Sequence, residues 1–210
     1  MDYLDELIVR HPCLSVCRDS ILEAYKILEA AYAGSGKVLI AGNGGSAADA
    51  DHITGELMKG FVKKRRPPAL FRESLGQITD AETADRLAEW IQGGLPAINL
   101  GGHTALISAV INDINGSLIY AQQVYSYAEK NDVFIGISTS GNSENVYLAM
   151  LTAKAKALKT ITLTGASGGK IAKLADASIK VPETETYKVQ ELHLPVYHCI
   201  CLMLEDRFFD

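Results

Sequence analysis

His52 and Glu56 stand four residues apart at the end of the run Val38-Leu-Ile-Ala-Gly-Asn-Gly-Gly-Ser-Ala-Ala-Asp-Ala-Asp-His52-Ile-Thr-Gly-Glu56. On a helix, positions i and i+4 share a face, so the run sets an imidazole beside a carboxylate. That pair suits a divalent metal, or a base working next to one. Just upstream, Gly42, Gly44 and Gly45 lack a Cβ and let the backbone turn sharply and approach a ligand. The free N–H groups of the helix start that follows favour an anion there. Each feature alone is weak, since most His–Glu pairs at this spacing are ordinary surface or core residues. In register, they place phosphate recognition and carbonyl chemistry in one pocket.

A second loop gathers hydroxyls. Ser138, Thr139, Ser140 and Ser143 lie within six residues, with Gly141 to turn the chain. Hydroxyls and backbone N–H groups can hold a dianionic phosphate without a lysine, and a helix opening at this loop adds its positive dipole end. A polar turn with a Ser or Thr helix cap explains the same residues equally well. On the last apolar helix, Gln190 and His198 lie on one i, i+4, i+8 row through Leu194. A straight helix rotates such a row by roughly 80° over eight residues, and Glu191, seven before His198, is closer in angle and a rival. Pro195 between them removes a backbone N–H and is expected to kink the helix. His193 is expected to be structural or at an interface, while His11 and His103 have no partner visible in the sequence.

These side chains need a frame. The 210 residues suffice for one domain, and 48% hydrophobic with only 7% aromatic content points to a core of Ala, Val, Ile and Leu. Strand, Gly/Ser loop and helix recur at 38–56, 133–157 and 160–174. Such alternation predicts an α/β fold with a five-stranded parallel sheet, helices on both faces and right-handed crossovers. The strands are expected at 38–41, 96–100, 132–137, 159–163 and 177–181. Helices are expected over 1–33, 47–60, 79–92, 118–128, 146–157 and 186–208. A loop or helix starts at Gly101, and residues 61–76 read as basic, Pro-rich and irregular. Ligands of such sheets bind beyond the carboxyl ends of the strands, where all three Gly/Ser loops fall. There is no G-x-G-x-x-G and no lysine-bearing phosphate loop, so neither a dinucleotide nor nucleotide hydrolysis is indicated.

A formal net charge of −5 gives no bulk attraction to nucleic acid. The one basic run, Lys63-Lys-Arg-Arg66, reads first as a solvated loop. No apolar run is long enough to span a membrane, and the acidic start, without a signal-peptide pattern, leads us to expect a cytoplasmic location. Cys13, Cys17, Cys199 and Cys201 form no metal knuckle and are expected to be buried reduced thiols.

The segments Gly42-Asn-Gly-Gly-Ser-Ala-Ala-Asp-Ala-Asp-His52, Ile137-Ser-Thr-Ser-Gly-Asn-Ser143, Ile161-Thr-Leu-Thr-Gly165 and Val189-Gln-Glu-Leu-His193 resemble the sugar isomerase (SIS) family, and within it the isomerases of sedoheptulose 7-phosphate. The resemblance covers roughly residues 20–205 and implies a single SIS domain with an N-terminal helical extension (1–33). It implies a Zn²⁺ site from His52, Glu56, Gln190 and His198. It implies aldose–ketose isomerisation through an enediol, with Glu56 moving the proton between C1 and C2 and His198 as the complementary acid/base. By the same resemblance Ser138, Thr139, Ser140 and Ser143 hold the phosphate. Asn43, Gly44, Ser46 and Asp113 line the sugar, and Thr186 and Gln190 also contact substrate. A homotetramer with active sites at subunit boundaries is implied too, with His103 and Asp113 as candidates for sharing between subunits.

The chain departs from the family pattern in three places. Besides Pro195, Gly60 stands where the family often carries an arginine near the phosphate, leaving Lys59, Arg65 or Arg66 to compensate. The stretch at about 62–94 reads as an insertion with an extra helix. Two other functions stay open at this point: a non-catalytic SIS protein that binds a partner protein, and an SIS isomerase for another sugar phosphate. Retention of the full set His52, Glu56, Gln190 and His198 favours catalysis.

Overall fold

The computed structural model describes residues 2–209. The chain runs α1 (Tyr3–Arg10), a 3₁₀ turn (Pro12–Cys17), α2 (Arg18–Ala33), β1 (Val38–Gly42), α3 (Gly45–Met58), α4 (Ala69–Gly76), α5 (Ala81–Trp90), β2 (Ala97–Asn99) and α6 (Thr104–Asp113). A short 3₁₀ turn (Gly116–Leu118) leads into α7 (Ala121–Tyr127), then β3 (Val133–Ile137), α8 (Glu144–Ala155), β4 (Lys159–Thr164), α9 (Gly169–Ala172), β5 (Ala177–Lys180) and α10 (Thr186–Phe208). The five strands are all parallel, in the order β2-β1-β3-β4-β5. This is the α/β architecture the alternation predicts.

β1 and β3 are buried at every residue, as a parallel sheet covered on both faces requires. Their side chains alternate between two cores. Val38, Ile40, Val133, Ile135 and Ile137 pack with α2, α3 and α10. Leu39, Ala41 and Phe134 pack on the other face against Val124 of α7 and Val146, Ala149 and Met150 of α8. The sheet order has a consequence for function. From β1 the chain first passes to β2 on one side and then to β3 on the other, so strand order reverses between β1 and β3. A crevice opens at the carboxyl ends of those two strands, and the loops there are the two glycine and serine loops.

Two expectations about the elements change. The helix expected over 1–33 is three pieces, because His11 precedes Pro12 and takes φ −131°, ψ 74°, outside the helical region that a following proline disfavours. Part of the segment expected to be irregular, 61–76, contains α4. α4 buries none of its residues and packs on α5, which buries only Ala84, so there was no apolar stripe to read. α10 spans Thr186–Phe208 as expected, with Pro195 inside it; the Glu191 whose carbonyl loses its donor is exposed. Of the cysteines, Cys17, Cys199 and Cys201 are buried but Cys13 is exposed, and all four are free. Among the described residues, no helix is long and apolar enough to cross a membrane.

Candidate active site

A cavity of about 320 Å³ opens at the β1/β3 crevice. It is lined by Asn43, Gly44, Gly45, Ser46, Ile137, Ser138, Thr139, Ser143, Thr186 and Gln190. Three helices, α3, α8 and α10, begin at this cavity. In none of them does the residue before the first turn cap it with its side chain. Ser46 and Ala47 of α3 bond the Asn43 and Gly44 carbonyls and Val146 of α8 bonds Asn145 Oδ1, which leaves the Gly45, Glu144 and Thr186 ends of the three helices to face an anion. The hydroxyls of Ser138 and Ser143 are 3.0 Å apart. Gly44 sits at φ +55°, ψ −122°, a conformation costly for any residue with a Cβ. A Cβ on Gly45 would overlap the side-chain amide of Gln190, so glycine there leaves the Gln190 amide its place beside the start of α3.

The structure does not bring every expected residue here. Ser140 is exposed, and its hydroxyl accepts from the Asn142 backbone N–H at 3.2 Å; it closes the turn rather than lining the cavity. Asp113 is exposed at the end of α6 and accepts from Asn112 at 2.7 Å. Sequence reasoning also missed two supports. Asn145 and Asn43 exchange side-chain hydrogen bonds at 2.9 and 3.0 Å, tying the two loops together, and Tyr120 donates to the Gly42 carbonyl at 2.6 Å. Neither has a local signature, because the partners lie 102 and 78 residues apart in the sequence.

α3 and α10 lie side by side and run in the same direction. Gly45 meets Gln190, and one to two turns further along, His52 meets Tyr197 and His198. His52 Nε2 is 3.2 Å from Glu56 Oε1 and 3.4 Å from His198 Nε2. The Glu56 side chain is only 13% exposed, and Lys59 Nζ reaches its Oε2 at 3.1 Å. Burial is the main cause lowering the pKa of His198; the neighbouring His52 and Arg10 add to it and Glu56 opposes it. His198 is therefore biased toward the neutral form, which can accept a proton or bind a cation. On the far side of His52, Nδ1 lies 2.9 Å from the hydroxyl of Tyr197, which donates to Asp49 Oδ1 at 3.3 Å. Burial first, and then the Asp49 charge, raise the pKa of Tyr197 and hold its proton on. Burial also raises the pKa of Asp49, opposed by the bond from Tyr197.

Among the described residues, no three His, Cys, Asp or Glu side chains close around one point as a finished metal site. The donor chemistry and the two recorded separations nevertheless fit a zinc ion. Zinc bonds of about 2.0–2.1 Å in a tetrahedron put neighbouring ligand atoms about 3.4 Å apart, against 3.2 and 3.4 Å for the two pairs that share His52 Nε2. Gln190 lies against Gly45 at the adjoining cavity. Its rival Glu191 lines a separate groove with Tyr3, Arg10 and Pro195 on the outer side of His198.

The arginines do not stand in for the one absent at Gly60. Arg65 is fully buried and donates to Glu205, to the Leu57 carbonyl and to the Glu56 carbonyl. Arg66 lies at another surface with Lys64 and Glu89. Of the three candidates only Lys59 adjoins the site. His193 is completely buried with both ring nitrogens unpartnered by other side chains, as a structural histidine. His103 is half-buried, its ring tilted against Tyr127 with centroids 5.8 Å apart.

With the geometry in hand, comparison with known proteins is decisive for the family. The SIS domain model matches residues 100–203. A phosphoheptose isomerase of Nitratiruptor sp. is 41% identical over 172 residues, 82% of this chain and 78% of that protein. Phosphoheptose isomerase 2 of Campylobacter jejuni is 36% identical and spans 99% of this chain and 90% of its own. The solved structure of a phosphoheptose isomerase from Francisella tularensis superposes with a TM-score of 0.76 at 30% identity, covering 97% of this chain and 95% of that one. Sequence likeness over nearly the whole length, on a backbone that matches as well, means that this chain belongs to the phosphoheptose isomerase family of SIS-domain proteins.

Proposed function

We propose that the protein interconverts sedoheptulose 7-phosphate and a manno-heptose 7-phosphate through an enediol, with zinc as its metal. The observation that carries this is the layout of α3. Its first turn borders the anion cavity, and His52 and Glu56 follow about two and three turns further along. From Gly45 to His52 is about 10 Å along the helix axis, so a sugar gripped by its terminal phosphate extends its carbonyl end toward the His52, Glu56 and His198 cluster.

The cavity holds the phosphate by the Ser138, Thr139 and Ser143 hydroxyls and by the N–H groups of the helix starts, while Asn43, Ser46 and Thr186 face the carbon chain. Glu56 removes the proton from C1 of the ketose and returns it to C2. His198 gives a proton to O2 as the enediol forms and takes the O1 proton as the aldehyde appears, so protons balance over the cycle. The zinc ion would be held by His52, Glu56 and His198, with Gln190 the nearest further candidate, and when bound it would polarise the sugar carbonyl.

A homotetramer belongs to the same proposal. Leu106, Ile111 and Ile114 on and beside α6 are exposed, close to Asp113, which would then reach a neighbour's site rather than its own. Sedimentation of the purified protein tests the assembly.

The deciding experiment is turnover of sedoheptulose 7-phosphate before and after chelation, with zinc added back, beside a panel of five- and six-carbon ketose phosphates. Heptose turnover lost on chelation and restored by zinc is expected. Preferential turnover of a shorter sugar would redirect the substrate, and no turnover of any would leave a non-catalytic partner-binding role.

A further inference from the structure

His52 has two ring nitrogens, and only one of them faces the cluster. Nδ1 faces Tyr197 Oη at 2.9 Å, and that hydroxyl lies 3.3 Å from Asp49 Oδ1. A phenol has one proton to give, whereas an ionised carboxylate can only accept. The other oxygen of Asp49 is buried with no partner, so if the Tyr197 proton pointed at His52, the Asp49 carboxylate would be left with no donor from any side chain. Leaving such a group unsatisfied costs on the order of 1–3 kcal/mol. The phenol proton therefore goes to Asp49, the phenol oxygen accepts, and His52 must supply an Nδ1–H. The tyrosine ring is almost wholly buried and lies edge-on to His52 with centroids 5.4 Å apart, so its hydroxyl has no freedom to swing elsewhere.

We propose that Asp49 and Tyr197 are a positioning pair that locks His52 as its Nδ1–H tautomer, so that Nε2 is presented to Glu56 and His198 as a lone pair ready for a divalent cation. The proposal rests on the zinc reading above for its purpose; for the tautomer, the Tyr197–Asp49 pair works against Glu56 Oε1, which lies 3.2 Å from Nε2 and whose carboxylate is already bonded by Lys59. Metal-binding histidines characteristically donate their second ring N–H to an oxygen that fixes ring orientation; here that oxygen belongs to a tyrosine held in turn by a carboxylate. Asp49, His52 and Tyr197 come from two helices, so the pair also fixes the lateral register of α3 against α10 at the level of the cluster.

The test uses the full chain in metal-free form, labelled with ¹⁵N-histidine, at about pH 8 where imidazoles are neutral. Two-bond ¹H–¹⁵N correlations are expected to show His52 as Nδ1–H in the parent protein and as Nε2–H or a mixture in Tyr197→Phe. Zinc affinity, read by competition with a chromophoric chelator, should fall about 10–100-fold in Tyr197→Phe, and the metal-free form should melt lower as Asp49 loses its donor. Asp49→Ala should follow Tyr197→Phe, giving a second reading should the latter fold poorly, and Asp49→Asn, which keeps an acceptor oxygen, should recover most of the affinity. An Nε2–H tautomer in the parent protein, or variants that leave tautomer and affinity unchanged, would overturn the proposal. A tautomer that shifts as described in a protein that binds no zinc would keep the positioning pair and refute the metal reading instead.

Discussion

Arg65 and Glu205 form an ion pair at 2.8 Å in which the side chains are 0% and 1% exposed, and the pair braces the two helices that carry the candidate site. The remaining donors of Arg65 cap the end of α3, at 2.6 Å to the Leu57 carbonyl and 2.8 Å to that of Glu56. These are carbonyls of the last helical turn, which have no donor within the helix. Glu205 sits on α10 two turns beyond His198 and also accepts from the backbone N–H groups of Phe61 and Val62. Burial would raise the pKa of Glu205, but those backbone bonds and Arg65 together outweigh it and lower it.

Breaking one half of such a pair leaves a buried charge alone. Arg65→Met is expected to destabilise the fold by about 3–5 kcal/mol and to loosen the Glu56 backbone, so the rate falls in the molecules that remain folded. Denaturant titration and kcat on the folded fraction check both. A loss below about 1 kcal/mol would mean the pair is a bystander.

Glu56→Gln removes the proton carrier while keeping shape. Turnover is expected to drop by on the order of 10²–10⁴-fold with an unchanged melting temperature and substrate still bound. Isothermal titration beside a coupled assay separates the two, and near-parental turnover would take Glu56 out of proton transfer.

The two serine positions should part company. Ser143→Ala removes a hydroxyl that lines the cavity and meets Ser138. A lost hydrogen bond to a charged group costs roughly 1.5 kcal/mol or more, so KM is expected to rise about tenfold. Ser140→Ala, at an exposed turn, should leave KM within about twofold. The opposite ranking in steady-state kinetics would move the phosphate to another surface.

His193 makes stability depend on pH. Burial lowers its pKa from the usual 6.5 to about 4, only partly offset by the backbone at Thr164. The folded state thus holds it neutral while the unfolded chain takes a proton, so the stabilisation is complete above about pH 6.5 and is lost as pH falls toward 4. The full loss is about 3 kcal/mol. Asp176 is lowered to about 2, as bonds from Thr160 and Lys154 overcome its burial, so its own loss comes below pH 4 and is separable. Melting curves from pH 7 to 4 (about that range) should slope in the parent protein and flatten in His193→Leu. An equal slope in both would assign the effect elsewhere.

Much was legible in the chain itself because the signals are local. Strands buried on both faces read as unbroken apolar runs, as Val38–Ala41 and Val133–Ile137 do. Glycines and hydroxyls stand directly after those strands, and His52 and Glu56 share a face by helical period alone. α4 was not legible, because an exposed helix carries no apolar stripe. Which residues meet across elements was decided only by the tertiary structure. It withdrew Ser140 and Asp113 from the cavity, buried Arg65 against Glu205, and set Asp49 and Tyr197 behind His52. Those partners lie 140 or more residues apart in two of the three cases, and no period in a sequence encodes a distance that only the packing of α3 on α10 creates.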